Sequence, residues 1–569
     1  MKNLPYYLIV LLVFMALSNE LWSDGMFLDG VYYATISKNL SNGLGSFWFL
    51  PSIASSDVFH GHPPLAMGLQ SIFFSIFGDS IYIERFYSLL TFIVTGFFIH
   101  LIWEEVIGKK YSLYSWVVLF FWAIIPLNSW ACSNNILENT MNIFVASSVF
   151  FLIKNIRTND LVYIMISGVC LSLAFLSKGF TGLFPLSFFF LYYLVFPSMT
   201  FKEMIRRTLL LIASTLTPFL LLYVFYPPAI DSLSEYINVQ VIDSLKNVQT
   251  TNNRFSITTR LFNYMKFIHL FTILSVFVYI VYLFRRKVLD NIFLILMTIL
   301  FISCLVIELF VDTDRNFLYI YNYVFLLLFL IYQSRSSIES NIISSASIRW
   351  IIFFMLLGFS GVLPMIISLK QGGFYILTAL PYFVISFTIL IIPILSYILD
   401  RFSLKRKIVY LFVLILFILY GPFISYSSQI NISQIINLQL NSFKNQYKKD
   451  VRDKSLRDDI RLILKELPEN AIVSIDFQKH NIIHGYFARY ENISLDTDRG
   501  NQHKYLISFE DGWSYEASKK ISSISNKNTT GEYLEKSTSF QWQQRKRFKK
   551  NYTKIELNTN KLHLYIYKK

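Results

Sequence analysis

A chain of 569 residues that is 54% hydrophobic, 18% aromatic and only 15% charged, with a mean hydropathy of +0.48, carries too much apolar surface for a soluble globule or a disordered tether. Three cysteines, two of them inside long apolar runs, exclude a disulfide-stapled secreted scaffold. The net charge of +15 therefore points to an anionic lipid surface or a phosphate-bearing lipid as partner, not to nucleic acid.

A helix needs roughly 20 apolar residues to cross the hydrocarbon. Thirteen such runs are present, at 5–22, 82–107, 111–130, 138–154, 161–178, 180–197, 208–226, 264–284, 290–310, 317–333, 350–369, 375–400 and 408–428. The first is too long and too weakly flanked by cations for a cleavable signal peptide, has no convincing small-x-small cleavage site, and is expected to remain as a span. The gap at Lys178-Gly179 is so short that it reads either as a loop or as a kinked or re-entrant segment.

Cations recur in alternate loops, at Lys109-Lys110, Lys154 with Arg157, Lys202 with Arg206-Arg207, Arg285-Arg286-Lys287, Arg335 with Arg349, and Arg401 with Lys405-Arg406-Lys407. That pattern makes those loops cytoplasmic. The loops at 23–81, 227–263 and 312–316, and everything after residue 428, then face outward. The expected fold is an α-helical polytopic membrane protein with a small α/β domain at its C-terminal end. The transmembrane domain is 1–428, with the active site in loop 23–81, and the soluble extracytoplasmic domain is 429–569.

Residues 429–569 hold no span-length apolar run and carry 25 Lys and Arg against 16 Asp and Glu. A helix is predicted over 441–467, with Leu456, Ile460, Leu464 and Leu467 on one face, followed by strands at 471–476, 490–495, 504–509 and 555–567. The cluster Arg545-Lys546-Arg547 with Lys549-Lys550 is either a solvated basic face or a contact for anionic lipid head groups.

Polar groups kept beside the membrane mark the candidate site. Asp29 closes the outer end of the first span, where a partly desolvated carboxylate suits accepting a proton or orienting a hydroxyl; the alternative is a helix N-cap. His62-Pro63-Pro64 sets a rigid extended turn, followed by a helix with Leu65, Leu69, Ile72 and Phe73 along one side. The turn holds His60 and His62 at the boundary, as donors to a lipid phosphate, as members of a metal site, or as ordinary loop residues. Lys178, at the end of an apolar span, is costly unless it snorkels or meets an anion. Arg85 is either a phosphate ligand or the ion-pair partner of Glu84. The loop at 227–263 adds Lys246, Arg254 and Arg260, with Tyr236 and Phe255 as apolar or sugar-stacking surfaces.

Several segments occur in a telling order: Asp-x-x-Tyr-Tyr-x-x-Ile from Asp29 through Tyr32 and Tyr33, the His62-Pro63-Pro64-Leu65 turn, Phe77-Gly78-Asp79-Ser80 before Glu84-Arg85, and LSLAFLSKGFTG at 171–182. Together they resemble the GT-C type glycosyltransferases that use polyprenyl-phosphate sugars, a group that includes the dolichyl-phosphate-mannose protein mannosyltransferases and the lipid A aminoarabinose transferases. The motifs fall within about residues 1–330, and the thirteen-span plan with an outer domain matches the lipid A enzymes over the whole length.

The resemblance implies inverting transfer from an undecaprenyl-phosphate sugar to a lipid A, glycan or protein acceptor. No cofactor is required, although a divalent metal is possible. Asp29 would be the catalytic carboxylate, and Glu138, which by itself also reads as a helix-start charge, the second acidic residue. Gly30 stands where many members carry another acid. His62 stands where the aminoarabinose transferases have a phosphate-contacting lysine. Arg315 and Tyr319 would match a basic-x-x-x-Tyr segment near the donor phosphate, which His62, Lys178 and Arg315 would neutralise.

Rival assignments are a protein O-mannosyltransferase-like enzyme, a transporter or flippase of lipid-linked sugars, and a sensor with a degenerate site. A transporter is expected to show midplane charges or paired broken helices, whereas here the polar groups gather at one boundary. The Lys-, Asn-, Ile- and Phe-rich composition points to an AT-rich bacterial genome, hence to an undecaprenyl carrier and the bacterial inner membrane.

Overall fold

The computed structural model describes residues 26–52, 58–80, 82–108, 111–123, 125–242, 345–367, 373–401, 454–468, 471–475, 481–491, 493–496, 503–509, 550–559 and 562–568. The spans expected at 5–22, 264–284, 290–310, 317–333 and 408–428 lie outside these residues, as do Lys246, Arg254, Phe255, Arg260, Arg315, Tyr319 and the basic residues 545–549.

In chain order the described helices are α1 (Leu28–Ser41), α2 (Leu65–Phe77), α3 (Ile83–Ile107), α4 (Ser115–Ala123), α5 (Pro126–Ser133), α6 (Leu137–Thr158), α7 (Val162–Lys178), α8 (Phe188–Val195), α9 (Phe201–Phe225), α10 (Pro228–Tyr236), α11 (Ser345–Ile367), α12 (Leu380–Arg401), α13 (Lys454–Leu464) and α14 (Asn481–Glu491). Three of the described helices, α3, α9 and Ala346–Ile366 within α11, are long and apolar enough to cross a membrane. The chain is an α-helical integral membrane protein with a small α/β unit.

The described residues separate into two units, one of those within 60–66 and 85–401, the other of those within 26–59, 67–84 and 454–568. In the first, small polar residues let helices approach closely. The Ser148 and Ser167 hydroxyls hydrogen-bond at 2.7 Å between α6 and α7, and Ser172 donates to the Thr215 carbonyl of α9 at 2.6 Å. Gly168 leaves no room for a side chain against Ser214. With lipid on the outside, such contacts replace the hydrophobic drive that would hold helices together in water. Helix α9 starts where it does because Thr200 and Glu203 form a reciprocal capping box.

Two expected spans are interrupted. The run at 111–130 is not one helix but α4 and α5, because Pro126 lacks the N–H that a continuous helix needs and instead starts α5. Asn128 Nδ2 donates to the Trp122 carbonyl at 2.6 Å, satisfying an acceptor left open by the break. The run at 180–197 begins as a 3-10 segment, Phe180–Ser187, before becoming α8.

In the second unit a five-stranded sheet runs in the order β2-β1-β3-β5-β4, with β1 Ile472–Ile475, β2 Ser494–Asp496, β3 Tyr505–Phe509, β4 Tyr552–Lys554 and β5 Leu562–Tyr567. Strand β1 is parallel to β2 and β3, whereas β3, β5 and β4 pair antiparallel. Ile460 and Leu467 of the predicted amphipathic face are buried in this unit's core, with Leu456 and Leu464 packed against it. Met26 and Val31, from the first polar loop, belong to the same core.

Two local expectations are corrected here. Residues 490–495 are not one strand: α14 extends to Glu491, because Ile483, Tyr486 and Phe487 fall at helical spacing and are buried. Likewise 555–567 is not one strand, since β5 alone covers Leu562–Tyr567.

Candidate active site

Within the first unit, two residues that lie 40 positions apart meet. Glu138 sits in the first turn of α6 and Lys178 is the last residue of α7; their side chains are 1% and 7% exposed. Lys178 Nζ donates to Glu138 Oε1 in a buried ion pair. The ammonium also lies 5.0 Å from the Phe374 ring centre and 4.8 Å from that of Tyr375, an arrangement in which ring faces stabilise a desolvated cation. Glu138 Oε2 is buried and has no hydrogen-bond partner among the described residues. A buried carboxylate oxygen in that state is an acceptor waiting for a donor.

The turn after Lys178 is built to hold this geometry. Gly179 has a φ of +105°, and a side chain there would run into the Tyr236 hydroxyl. That hydroxyl donates to the Lys178 carbonyl at 3.3 Å, and burial pushes its pKa up to about 12 against a lowering backbone contact at Phe180. The Lys178-Gly179 gap is thus a sharp turn from α7 into the 3-10 segment. Gly179→Ala is expected to destabilise the full chain by roughly 1–3 kcal/mol through backbone strain, read as a lower melting temperature.

A buried polar layer lies around the start of α6. The Tyr87 hydroxyl meets Thr140 Oγ1 at 2.7 Å, Ser88 donates to Asn135 Oδ1 at 3.2 Å, and Asn139 Nδ2 donates to the Ala131 carbonyl at 2.8 Å. Arg85 is buried and its Nε reaches the Ser133 carbonyl at 3.3 Å. The Glu84–Arg85 ion pair considered from sequence is not formed; Glu84 pairs with Arg489. His60 and His62 are half-buried in the extended turn before α2, and His60 Nδ1 has no hydrogen-bond partner among the described residues. No group of three or more His, Cys, Asp or Glu side chains suited to a metal occurs among the described residues.

On α2, Leu65, Leu69 and Phe73 are half-buried. Ala66, Met67, Gln70, Ser71 and Phe74 are buried, whereas Ile72 is exposed.

The second unit holds Asp29, in the first turn of α1 and half-buried. The N-cap position belongs to Phe27, so Asp29 is not the cap; it gains from the positive helix end instead. Tyr33 is buried and packs edge-on to Phe59 at 6.5 Å, and burial raises the pKa of Tyr32. Four charges that sequence reasoning did not connect lie in the same unit: Lys38 with Asp79 at 2.8 Å, and Arg489 with Asp79 at 2.5 Å and with Glu84 at 2.8 Å.

Burial raises the Asp79 carboxyl, but the charges and hydrogen bonds of Arg489 and Lys38 outweigh it and hold the pKa below its ordinary value. A depressed carboxylate stabilises the folded state above its unfolded pKa of roughly 4 and loses that contribution as pH falls through the folded value. The melting-temperature difference between wild type and Asp79→Asn is therefore expected to be full at neutral pH and to close in acid below about pH 4.

Residues 61–225 match the model of the family described as dolichyl-phosphate-mannose-protein mannosyltransferase. This stretch resembles a mannosyltransferase. The match includes His62, Arg85, Glu138 and Lys178, and it agrees with the GT-C resemblance carried by the sequence motifs. No curated protein matches the chain. Two crystal structures of ArnT from Cupriavidus metallidurans are similar in fold, each at 11% identity and a TM-score of 0.46. The apo form aligns over 90% of this chain and 94% of its own, and the form bound to undecaprenyl phosphate over 99% and 97%.

Proposed function

We propose that this chain is an inverting glycosyltransferase of the bacterial inner membrane. It moves a sugar from an undecaprenyl-phosphate donor to a lipid A, cell-surface glycan or protein acceptor on the outer face. The observation that carries this assignment is the buried Glu138–Lys178 pair with its open carboxylate oxygen, set beside two aromatic rings. Both charged residues lie in the segment that matches the mannosyltransferase family.

In the reaction, an acceptor oxygen attacks the sugar C1 while the bond from C1 to the lipid-phosphate oxygen breaks, and the phosphate leaves with the electron pair. One in-line displacement inverts C1. Lys178, with His62 and Arg85, neutralises the charge growing on the phosphate, an effect enlarged where water is excluded. Glu138 holds Lys178 in place through Oε1 and accepts a hydrogen bond from the sugar through Oε2, while Phe374 and Tyr375 supply apolar surface for the ring. Asp29 takes the proton of a hydroxyl acceptor. With a phosphate acceptor no proton moves, and Asp29 stabilises positive charge at C1.

The test is reconstitution of the full chain in vesicles containing undecaprenyl-phosphate hexose and candidate acceptors. Transfer appears as free undecaprenyl phosphate with an equal amount of glycosylated product. Movement of intact donor across the bilayer with no covalent product would identify a flippase and overturn the assignment.

A further inference from the structure

We infer that Arg489 and its helix α14 are the positioning element for the helix that carries Asp29. This rests on the assignment of Asp29 as the reacting carboxylate; the anchoring itself does not. Helix α14 touches α1 at three levels. At the start, the Met26 backbone N–H donates to the Tyr486 hydroxyl at 3.1 Å. Further along, Val31 packs so close to Gly485 that a side-chain carbon at 485 would come within 2.9 Å of it. At the far end, Lys38 Nζ donates to the Arg489 carbonyl at 2.9 Å.

The Arg489 side chain closes the arrangement. It is 1% exposed, binds Asp79 and Glu84, donates to the Ser80 carbonyl at 2.8 Å and stacks 4.9 Å from the Phe74 ring. Lys38 reaches the same Asp79. Two cations and two carboxylates thus balance in a largely buried cluster that joins α1, the turn before α3, and α14. The Phe-Gly-Asp-Ser and Glu-Arg motifs acquire a physical purpose: Asp79 and Glu84 are the docking points for Arg489. A buried cluster of this kind has few alternative arrangements, because moving one member strands the others. Asp29 is two residues before Val31 and three after Met26, so its helix turn is held on both sides.

The experiment uses the full chain in lipid nanodiscs, comparing wild type with Arg489→Met, Arg489→Lys and Tyr486→Phe. Hydrogen exchange is followed at residues 28–41, and turnover is measured with undecaprenyl-phosphate hexose at temperatures where each variant is folded. Arg489→Met and Tyr486→Phe are expected to speed exchange in α1 about tenfold or more. They are also expected to lower kcat about tenfold while KM for the donor stays within about twofold, with Arg489→Lys recovering part of kcat. Unchanged α1 exchange, or unchanged kcat in folded variants, overturns the inference. If Arg489→Met does not fold, Tyr486→Phe decides, since it removes one hydroxyl. An Asp29→Asn variant with wild-type turnover would defeat the assignment of Asp29 alone, and α1 exchange would still decide whether α14 anchors the helix.

Discussion

Replacing Asp29 with Asn is expected to reduce transfer by about 10²–10⁴-fold, the range for removing a positioned acid or base. The exchange keeps size and polarity and removes only the charge. Because α1 is held by α14 and by its own helix hydrogen bonds, the Asn variant should still insert and fold, with only a modest drop in melting temperature from the lost charge at the helix start, about 0.3–1 kcal/mol. Its donor KM should change little, because phosphate binding is assigned to cations elsewhere. The size of the loss also distinguishes acceptors. The loss should be larger with a hydroxyl acceptor, whose proton must go to Asp29, than with a phosphate acceptor, from which no proton moves. Transfer at the wild-type rate in a lipid-linked-donor assay would remove Asp29 from the mechanism.

The second large effect concerns the Glu138–Lys178 pair. Lys178→Met should destabilise the protein by about 3–5 kcal/mol, because it leaves the Glu138 carboxylate buried without its cation. The Glu138→Gln, Lys178→Met double variant should be less destabilised than the sum of the two single variants, since no charge is then stranded. All three should lose transfer, the double variant included. Recovery of stability without recovery of activity separates the pair's role in the site from its role in the fold. Thermal melting in detergent supplies the first readout and release of undecaprenyl phosphate the second. Additive destabilisation would mean the pair is not coupled.

Much of the helix plan was legible because lipid imposes a length and a polarity that show in a single sequence. The prolines at 63 and 64 predicted a turn followed by a helix, and α2 begins at Leu65. Glu138 and Lys178 were each noticeable as charges beside apolar runs. Their meeting was not, because nothing local links the first turn of one helix to the last residue of another 40 positions on. Phe374 and Tyr375 were lost among 55 Phe and 36 Tyr. Arg489 was hidden because residues 490–495 looked like a strand, and Lys38 because an amphipathic cation at a helix end is ordinary. The one available clue was acidic: Asp79 and Glu84 form a spaced pair in a motif with no local cation to satisfy both.

Covalent transfer of a lipid-linked sugar to an envelope component leaves a change in mass on the acceptor. Mass spectrometry of membrane lipids, surface glycans and envelope proteins addresses it most directly, comparing cells with the wild-type gene, without it, and with Asp29→Asn. One class of molecule is expected to carry a sugar-sized mass increment only with the wild-type gene and to lose it in both other strains. Envelopes identical in all three strains, or an increment that persists with Asp29→Asn, would contradict it.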